Sequence, residues 1–168
     1  MIMKGIKMAN RHQRIDFVNK YLPQALQCCF DNGYHFALAC TCIAQSALET
    51  GWGLCGGIMV QNNALHGIKG SYTDKNGKEW YYTSPTREYI GGQYITVNAK
   101  FRAYPTVKEG FNDYFNTVLK QPNFRDVFNH DSVRGCITAL KNGGYATDPK
   151  YIDSVITVWG TICTDLKG

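Results

Sequence analysis

The stretch Ala44-Gln45-Ser46-Ala47-Leu48-Glu49-Thr50-Gly51-Trp52-Gly53 constrains this chain more than any other. Residues 36 to 48 are apolar or small nearly all round, the pattern of a helix inside a core rather than on a surface. Gly51 suits the left-handed position just past a helix end, which puts Glu49 in the last turn. There the helix dipole is negative and disfavours a carboxylate. Burial against Leu48 and Trp52 acts in the same direction. A carboxyl group kept protonated near neutral pH is what a general acid needs in glycoside hydrolysis. The plainer alternative is an exposed helix-end glutamate beside a tryptophan, and the local pattern alone does not separate the two.

At 168 residues the chain is long enough for one domain with a proper core, taken here as residues 1–168. A hydrophobic share of 44% with 18% charged residues is that of a globular chain. No run approaches the roughly 18 apolar residues of a membrane span, so no membrane insertion is expected. The basic start, Met1 to Arg14, has no apolar region behind it and so does not read as a secretory signal. The expected course is synthesis in the cytoplasm and export by a non-classical route to a periplasm or cell wall. The net charge of +5 suits an anionic partner such as a bacterial wall. The cations are scattered, without a dense stripe, so nucleic acid is not an expected partner.

Of the seven cysteines, Cys28 and Cys29 are adjacent, Cys40 and Cys42 are one residue apart, and Cys55, Cys136 and Cys163 stand alone. None has CxxC spacing, and His12, His35, His66 and His130 form no HxxxH pair. No metal, redox site or cofactor is therefore expected. Buried free thiols and disulfides remain open as readings, with at least one thiol left over from an odd count.

Along the chain, residues 13 to 30 carry a helical stripe of Ile15, Val18, Leu22, Leu26, Cys29 and Phe30, which Pro23 should kink or divide. Asp31-Asn32-Gly33 ends it. From Leu54 to Gly77 the chain is rich in Gly and Asn and reads as a long loop, a place where function concentrates. Residues 79 to 103 switch to a period of two, with Gly91-Gly92 as a hairpin turn. Glu88 thus lies on a β-hairpin beside Trp80, Tyr81, Tyr82 and Tyr89, rings that suit stacking on sugars. Taken alone, Glu88 reads as a solvent-facing strand residue paired with Arg87 or Lys100. The remainder is helical: Glu109 to Gln121, a helix capped by Ser132 and ended by Gly143-Gly144, and a last helix with Ile152, Val155, Ile156, Trp159, Ile162 and Leu166 inward. Asp148-Pro149 reads as the N-cap and first residue of that helix, which explains both without chemistry. Tyr145, on the loop just before, has no such structural reason. The expected fold is α+β, mostly α, with a helical lobe and a small antiparallel hairpin lobe.

Four blocks, AQSALETGWG, NALHGIK, the region from TREYIGG to FRAYPTVKEGFNDYF, and GYATDPKY, run in order from residue 44 to 151. In these the chain resembles bacterial peptidoglycan glucosaminidases of glycoside hydrolase family 73, which have a lysozyme-like fold. The resemblance implies that Glu49 is the catalytic acid. It implies further that Glu88 is a second carboxylate on the β-lobe and that Tyr145 positions or stabilises the sugar. Trp52, Asn63, Lys69, Tyr89 and Tyr104 are expected to contact the substrate. One departure is His66, where the family normally has phenylalanine before Gly67-Ile68-Lys69; cysteine richness is another.

The implied activity is hydrolysis of the β-1,4 bond between N-acetylglucosamine and N-acetylmuramic acid in a peptidoglycan glycan strand, without cofactor or metal. The setting expected is an antibacterial effector delivered to a target periplasm, for example by type VI secretion, with an immunity protein that plugs the groove between Glu49 and Glu88. A phage lysin with the same chemistry is the alternative setting. The functional rivals are a lytic transglycosylase or muramidase, a non-catalytic peptidoglycan-binding module, and a cysteine-based redox or metal protein.

Overall fold

The computed structural model describes residues 9–55 and 57–168, except the side chains of Glu88, Tyr89 and Ile90. Helix α1 spans Arg11–Asn32 and opens on a capping box in which Asn10 and Gln13 satisfy each other's backbone amides. It closes on Gly33 in the left-handed conformation, φ 69°. Pro23 does not divide it. The proline sits on the exposed side, where water satisfies the carbonyl it frees, and the opposite side holds the helix to the core. The buried side is also rotated from the stripe expected. Phe17, Val18, Tyr21, Ala25, Cys28 and Cys29 face inward, whereas Phe30 is 83% exposed.

Helix α2, Phe36–Thr50, is the centre of the molecule: twelve of its residues are buried. It packs against α1 and, later in the chain, against α5 (Val133–Asn142) and α6 (Tyr151–Lys167). Its small side chains, with Ala39, Ala44 and Ala47 all at 0% exposure, let neighbouring helices approach closely. The loop region carries a short helix α3, Gly57–Gln61, and a two-residue strand β1, Tyr72–Thr73. Strands β2 (Glu79–Ile90) and β3 (Gln93–Arg102) form the hairpin, and the sheet order is β1-β2-β3, antiparallel throughout. Gly91 and Gly92, at φ 62° and 87°, supply the tight turn that pairs Ile90 with Gln93. On β3, Ile95, Val97, Ala99 and Phe101 form a half-buried row opposite exposed neighbours, as the alternation requires. At the hairpin's base Tyr82, Ala103, Tyr104 and Ala64 form a second small core.

Helix α4 covers only Val107–Asp113 before the chain widens into a π-helical turn, Tyr114–Val118, and a 3-10 turn follows at Arg125–Asn129. Ser132 caps α5 as expected. Asp148 does not cap α6. Its Oδ1 accepts the Lys150 amide at 2.9 Å and its backbone carbonyl accepts that of Tyr151 at 3.2 Å, an Asx turn that delays the helix to Tyr151. Near the end of α6, Leu166 is 52% exposed and Asp165 is buried instead. The reason is Arg14, which donates to both Asp165 oxygens at 2.6 and 2.9 Å and clamps the helix ends together.

All seven thiols are free. Five are buried, and burial pushes Cys29 up to about 12 and Cys40 up to about 11. These cysteines therefore act as small hydrophobic residues, and the disulfide reading does not hold. In a native thiol titration Cys55 and Cys163, the half-buried pair, should react. The other five should react only after unfolding; rapid labelling of all seven in the folded protein would contradict this packing.

Candidate active site

Helix α2 is apolar outside but carries a buried polar seam of Thr41, Gln45, Ser46 and Thr50, each 0% exposed. Thr41, Ser46 and Thr50 each donate a hydroxyl to the carbonyl four residues back. Thr50 does more. Its Oγ1 donates to the Ser46 carbonyl at 2.7 Å and accepts the Gly53 amide at 2.9 Å, which ties the helix end to the turn beyond. That turn holds Gly51, Trp52 and Gly53 all in the left-handed region, at φ 56°, 59° and 76°. For tryptophan this costs about 1–3 kcal/mol. It is held by the Trp52 amide donating to Ala47 at 2.8 Å, an edge contact with Phe17 at 6.0 Å and the Arg14 guanidinium 5.9 Å over the ring.

Glu49 sits on this fixed shelf. It is open to solvent on one side. Protein on the remaining sides still removes enough water to push its pKa above the usual carboxyl range. Surface exposure and pKa point in different directions here, and a carboxyl that protein surrounds on some sides and water reaches on another accounts for both. The Glu49 charge is felt at the phenols of Tyr145 and Tyr151, where it adds to burial in opposing their ionisation. Glu49 and Tyr145, both singled out in the sequence, are thus near enough for the charge of one to act on the other. Tyr151 joins them unannounced.

Behind them, Tyr114 donates its hydroxyl to Gln45 Oε1 at 2.9 Å and Gln45 Nε2 donates to the Tyr151 hydroxyl at 3.0 Å. The Tyr145 ring meets Tyr114 edge-on at 6.2 Å and lies 6.0 Å from Tyr151. His66 stacks flat on Tyr114, at 3.8 Å and 11°, with Nε2 3.3 Å from both Cys42 Sγ and Ser46 Oγ. Burial drives its pKa down to about 3, so it is a neutral ring. This explains the departure at position 66: a flat aromatic is kept and two polar contacts are added.

The other residues expected to meet a substrate divide. Trp52 is half-buried beside Glu49. Lys69 is exposed and bridges Phe101 at the hairpin base. Asn63, at φ 53°, spends its amide on the carbonyls of Tyr104 and Pro105, at 2.9 and 3.2 Å, and holds a turn. Tyr104 is corrected outright. Its ring is 3% exposed and its hydroxyl donates to Asp113 at 2.8 Å, so no face is left for a ligand. Asp113 is shared with Arg102 at 2.6 Å, which fastens the hairpin to α4. The backbone of Glu88 pairs with Ile95, two positions from the turn, while the side chains of Glu88 and Tyr89 lie outside the described residues. Among the described residues no group of three or more His, Cys, Asp or Glu side chains is arranged to hold a metal, and no helix is long and apolar enough to cross a membrane.

Sequence reasoning missed Gln45, Tyr114 and Tyr151. A signal for the first was present: Gln45 is one turn before Glu49 in a helix otherwise too apolar to place a glutamine there without a partner. The other two carry no signal in the sequence, because their approach to Gln45 is set by packing.

The chain is similar to known proteins over most of its length. The chain is 32% identical over 161 residues to a peptidoglycan hydrolase, FlgJ, of Vibrio cholerae, a match that covers 92% of this chain and 46% of that protein. It is 32% identical over 130 residues to the exo-glucosaminidase LytG of Bacillus subtilis, covering 74% of this chain and 44% of that one. The chain thus spans less than half the length of these relatives. Among solved structures, the catalytic domain of the autolysin Auto from Listeria monocytogenes superposes with a TM-score of 0.75 at 27% identity, covering 98% of this chain and 92% of that one. A mutant peptidoglycan hydrolase from a Sphingomonas species gives 0.70 at 31% identity, over 90% of this chain and 97% of that one. The family profile described as mannosyl-glycoprotein endo-beta-N-acetylglucosaminidase matches residues 35–163, from the cap of α2 into the last turns of α6. With that match over most of its length, the chain belongs to the glucosaminidase family.

Proposed function

We propose that this chain hydrolyses the β-1,4 bond between N-acetylglucosamine and N-acetylmuramic acid in peptidoglycan, with Glu49 as general acid. The carrying observation is the Glu49 carboxyl, raised in pKa by its surroundings yet open to solvent. In its protonated form it delivers a proton to the leaving oxygen as the glycosidic bond breaks. The family's relatives named as peptidoglycan hydrolases and a glucosaminidase support the substrate class.

Tyr145 is proposed to position the sugar, since its phenol stays protonated through burial. Trp52, Lys69 and Tyr89 are proposed as contacts along the strand. Glu88 is the proposed second carboxylate. It activates water from the opposite face if the two carboxyls stand about 6.5–9.5 Å apart; in the other route the substrate's own 2-acetamido group attacks. The anomer first formed distinguishes the routes, inverted for the water route and retained for the acetamido route.

Hydrolysis of purified peptidoglycan, followed by release of reducing ends across pH, tests the acid. The active form is lost as pH rises through the Glu49 pKa, so the upper limb of kcat should lie above the ordinary glutamate range. An upper limb at the ordinary value would remove Glu49 from the acid role.

For the setting, we propose an antibacterial effector in a target periplasm, restrained by an immunity protein that occludes the groove. Its support is the reaction itself and a net charge of +5 that suits an anionic wall; free thiols lend it nothing. A neighbouring small gene with a signal sequence, whose product inhibits the enzyme, would bear it out. A neighbouring holin gene would replace it with a phage lysin.

A further inference from the structure

Arg14 is where the first and last helices meet the turn that follows Glu49. Its guanidinium spends all three nitrogens on fixed partners. Nε donates to Asp165 Oδ2 at 2.6 Å, Nη2 to Asp165 Oδ1 at 2.9 Å and Nη1 to the Ala9 carbonyl at 2.7 Å. Asp165 is buried and held in turn, because its backbone carbonyl accepts Arg11 Nη2 at 2.9 Å. A planar fork bound at three points has one orientation.

That orientation carries the guanidinium carbon to 5.9 Å over the Trp52 ring, within reach of a cation–aromatic contact. Phe17, one turn further along α1, meets the same ring edge-on at 6.0 Å and 81°. Phe17 also stands 3.3 Å from where a Cβ on Gly53 would lie, so the turn is pressed against α1. The Trp52 backbone is left-handed, at φ 59°, a conformation that persists only where the surroundings impose it. Two side chains of α1 and the hydrogen bonds of the turn impose it here.

None of Arg14, Phe17 and Asp165 lies within residues 35–163, the span that the family profile matches. Helix α1 and the last turn of α6 thus bring their own support to a tryptophan inside that span. A clamp between the helix ends explains the ion pair. It does not require the guanidinium to stand over an indole as well. An indole has two faces, and with the guanidinium on one of them a sugar can stack only on the other.

We propose that Arg14 is a positioning residue for the substrate: gripped by Asp165, it fixes the Trp52 indole so that one face of the ring is presented to a sugar of the glycan strand. This rests on the reading of Trp52 as a contact along that strand. Arg14 itself touches no substrate. A ring already fixed binds the sugar without losing rotational freedom of its own, so the effect falls on binding and not on the chemical step.

The test compares the full chain as wild type, Arg14→Met, Arg14→Lys, Asp165→Asn and Trp52→Ala. The indole N–H signal of Trp52 is followed by NMR, which is tractable because Trp52, Trp80 and Trp159 are the only tryptophans. Cosedimentation with purified peptidoglycan and steady-state kinetics on the same polymer accompany it. In Arg14→Met and Asp165→Asn the Trp52 signal of the free protein should move while that of Trp80 stays. Binding should weaken and KM rise by about 3–10-fold, the size of a cation–aromatic contact, with kcat within about twofold. Arg14→Lys keeps the charge but not the planar fork, and should recover most of the melting temperature and little of the binding. If Arg14→Met fails to fold, Asp165→Asn, which keeps Arg14 and the size of its partner, carries the same expectation. An unmoved Trp52 signal in both variants would overturn the proposal, as would lower melting temperatures with unmoved binding and KM, the result of a clamp alone. Trp52→Ala separates the two kinds of failure. Weaker binding there with unmoved binding in the Arg14 and Asp165 variants overturns the proposal alone, whereas unmoved binding in Trp52→Ala overturns the contact it rests on as well. Neither the indole signal nor cosedimentation needs turnover, so Arg14 is judged even if the wild type releases no ends and the proposed reaction falls.

Discussion

Glu49→Gln should cut hydrolysis of purified peptidoglycan by about 10³-fold, within the 10²–10⁴ range of lost acid catalysis, while leaving binding to the polymer intact. The shape of the side chain is kept and only the proton donor is removed, so a large loss in kcat with little change in KM assigns the loss to the chemical step. The same variant should melt at a higher temperature than the wild type near neutral pH. The Glu49 pKa is raised in the folded protein by the loss of surrounding water. Between the unfolded value and this raised value the folded state binds more protons than the unfolded one, so stability falls as pH rises through that window. Glutamine does not titrate and escapes that penalty. The gap in melting temperature between variant and wild type should therefore open from acid to neutral pH. It will be modest because one side of Glu49 faces water. A site selected for chemistry at some expense of stability behaves this way. Equal activity in wild type and variant would end the general-acid assignment.

The largest stability loss is expected at Gly143. A Cβ built there would lie 2.1 Å from the backbone oxygen of Asn123 and 2.9 Å from Phe124 Cδ1. The two segments are clasped at this point, because Asn123 Nδ2 donates to the Gly143 carbonyl at 2.9 Å. Since the obstructing atom belongs to the backbone, it cannot rotate away. Gly143→Ala should thus cost about 1–3 kcal/mol or more, the usual range for overpacking. At about 2–4 °C per kcal/mol for a domain of this size, that is a visible drop in a thermal melt. Activity should fall too, since Phe124 packs edge-on against Tyr145 at 5.8 Å and displaces it when pushed. Gly144→Ala is the informative comparison. Gly144 has φ 86°, which alanine adopts with strain, but nothing lies within 4 Å of its Cβ position. It should cost only about 1–2 kcal/mol. A greater loss at Gly144 than at Gly143 would mean that the clasp is not what holds this loop.

These two glycines also mark how far the sequence could be read. Gly143-Gly144 is visible as a helix stop, and α5 does end there. That Gly143 is needed for close approach to Asn123, 20 residues earlier, is a tertiary fact that no local pattern encodes. The same division runs through the site. The apolar run ending in Glu49-Thr50-Gly51 announces both a central helix and a left-handed stop, because capping and periodicity are local. The hairpin and its Gly-Gly turn are legible for the same reason. Pro23 does not divide α1: it stands on the exposed side, where water can satisfy the carbonyl it frees, and exposure cannot be read from the residue itself. Tyr104 was expected to contact the substrate, but aromatic residues serve both grooves and cores, and its burial with a hydrogen bond to Asp113 decides which. The resemblance in four ordered blocks located Glu49 and Tyr145. It gave no hint of the amide that links Tyr114 to Tyr151 behind them, since that contact joins three elements.

The most direct measurement of the central claim is mass spectrometry of the fragments released from purified peptidoglycan by the wild type and by Glu49→Gln. Hydrolysis with Glu49 as acid predicts fragments ending in reducing N-acetylglucosamine, present with the wild type and lost with the variant. Fragments ending in reducing or anhydro-N-acetylmuramic acid, or none from either protein, would contradict it.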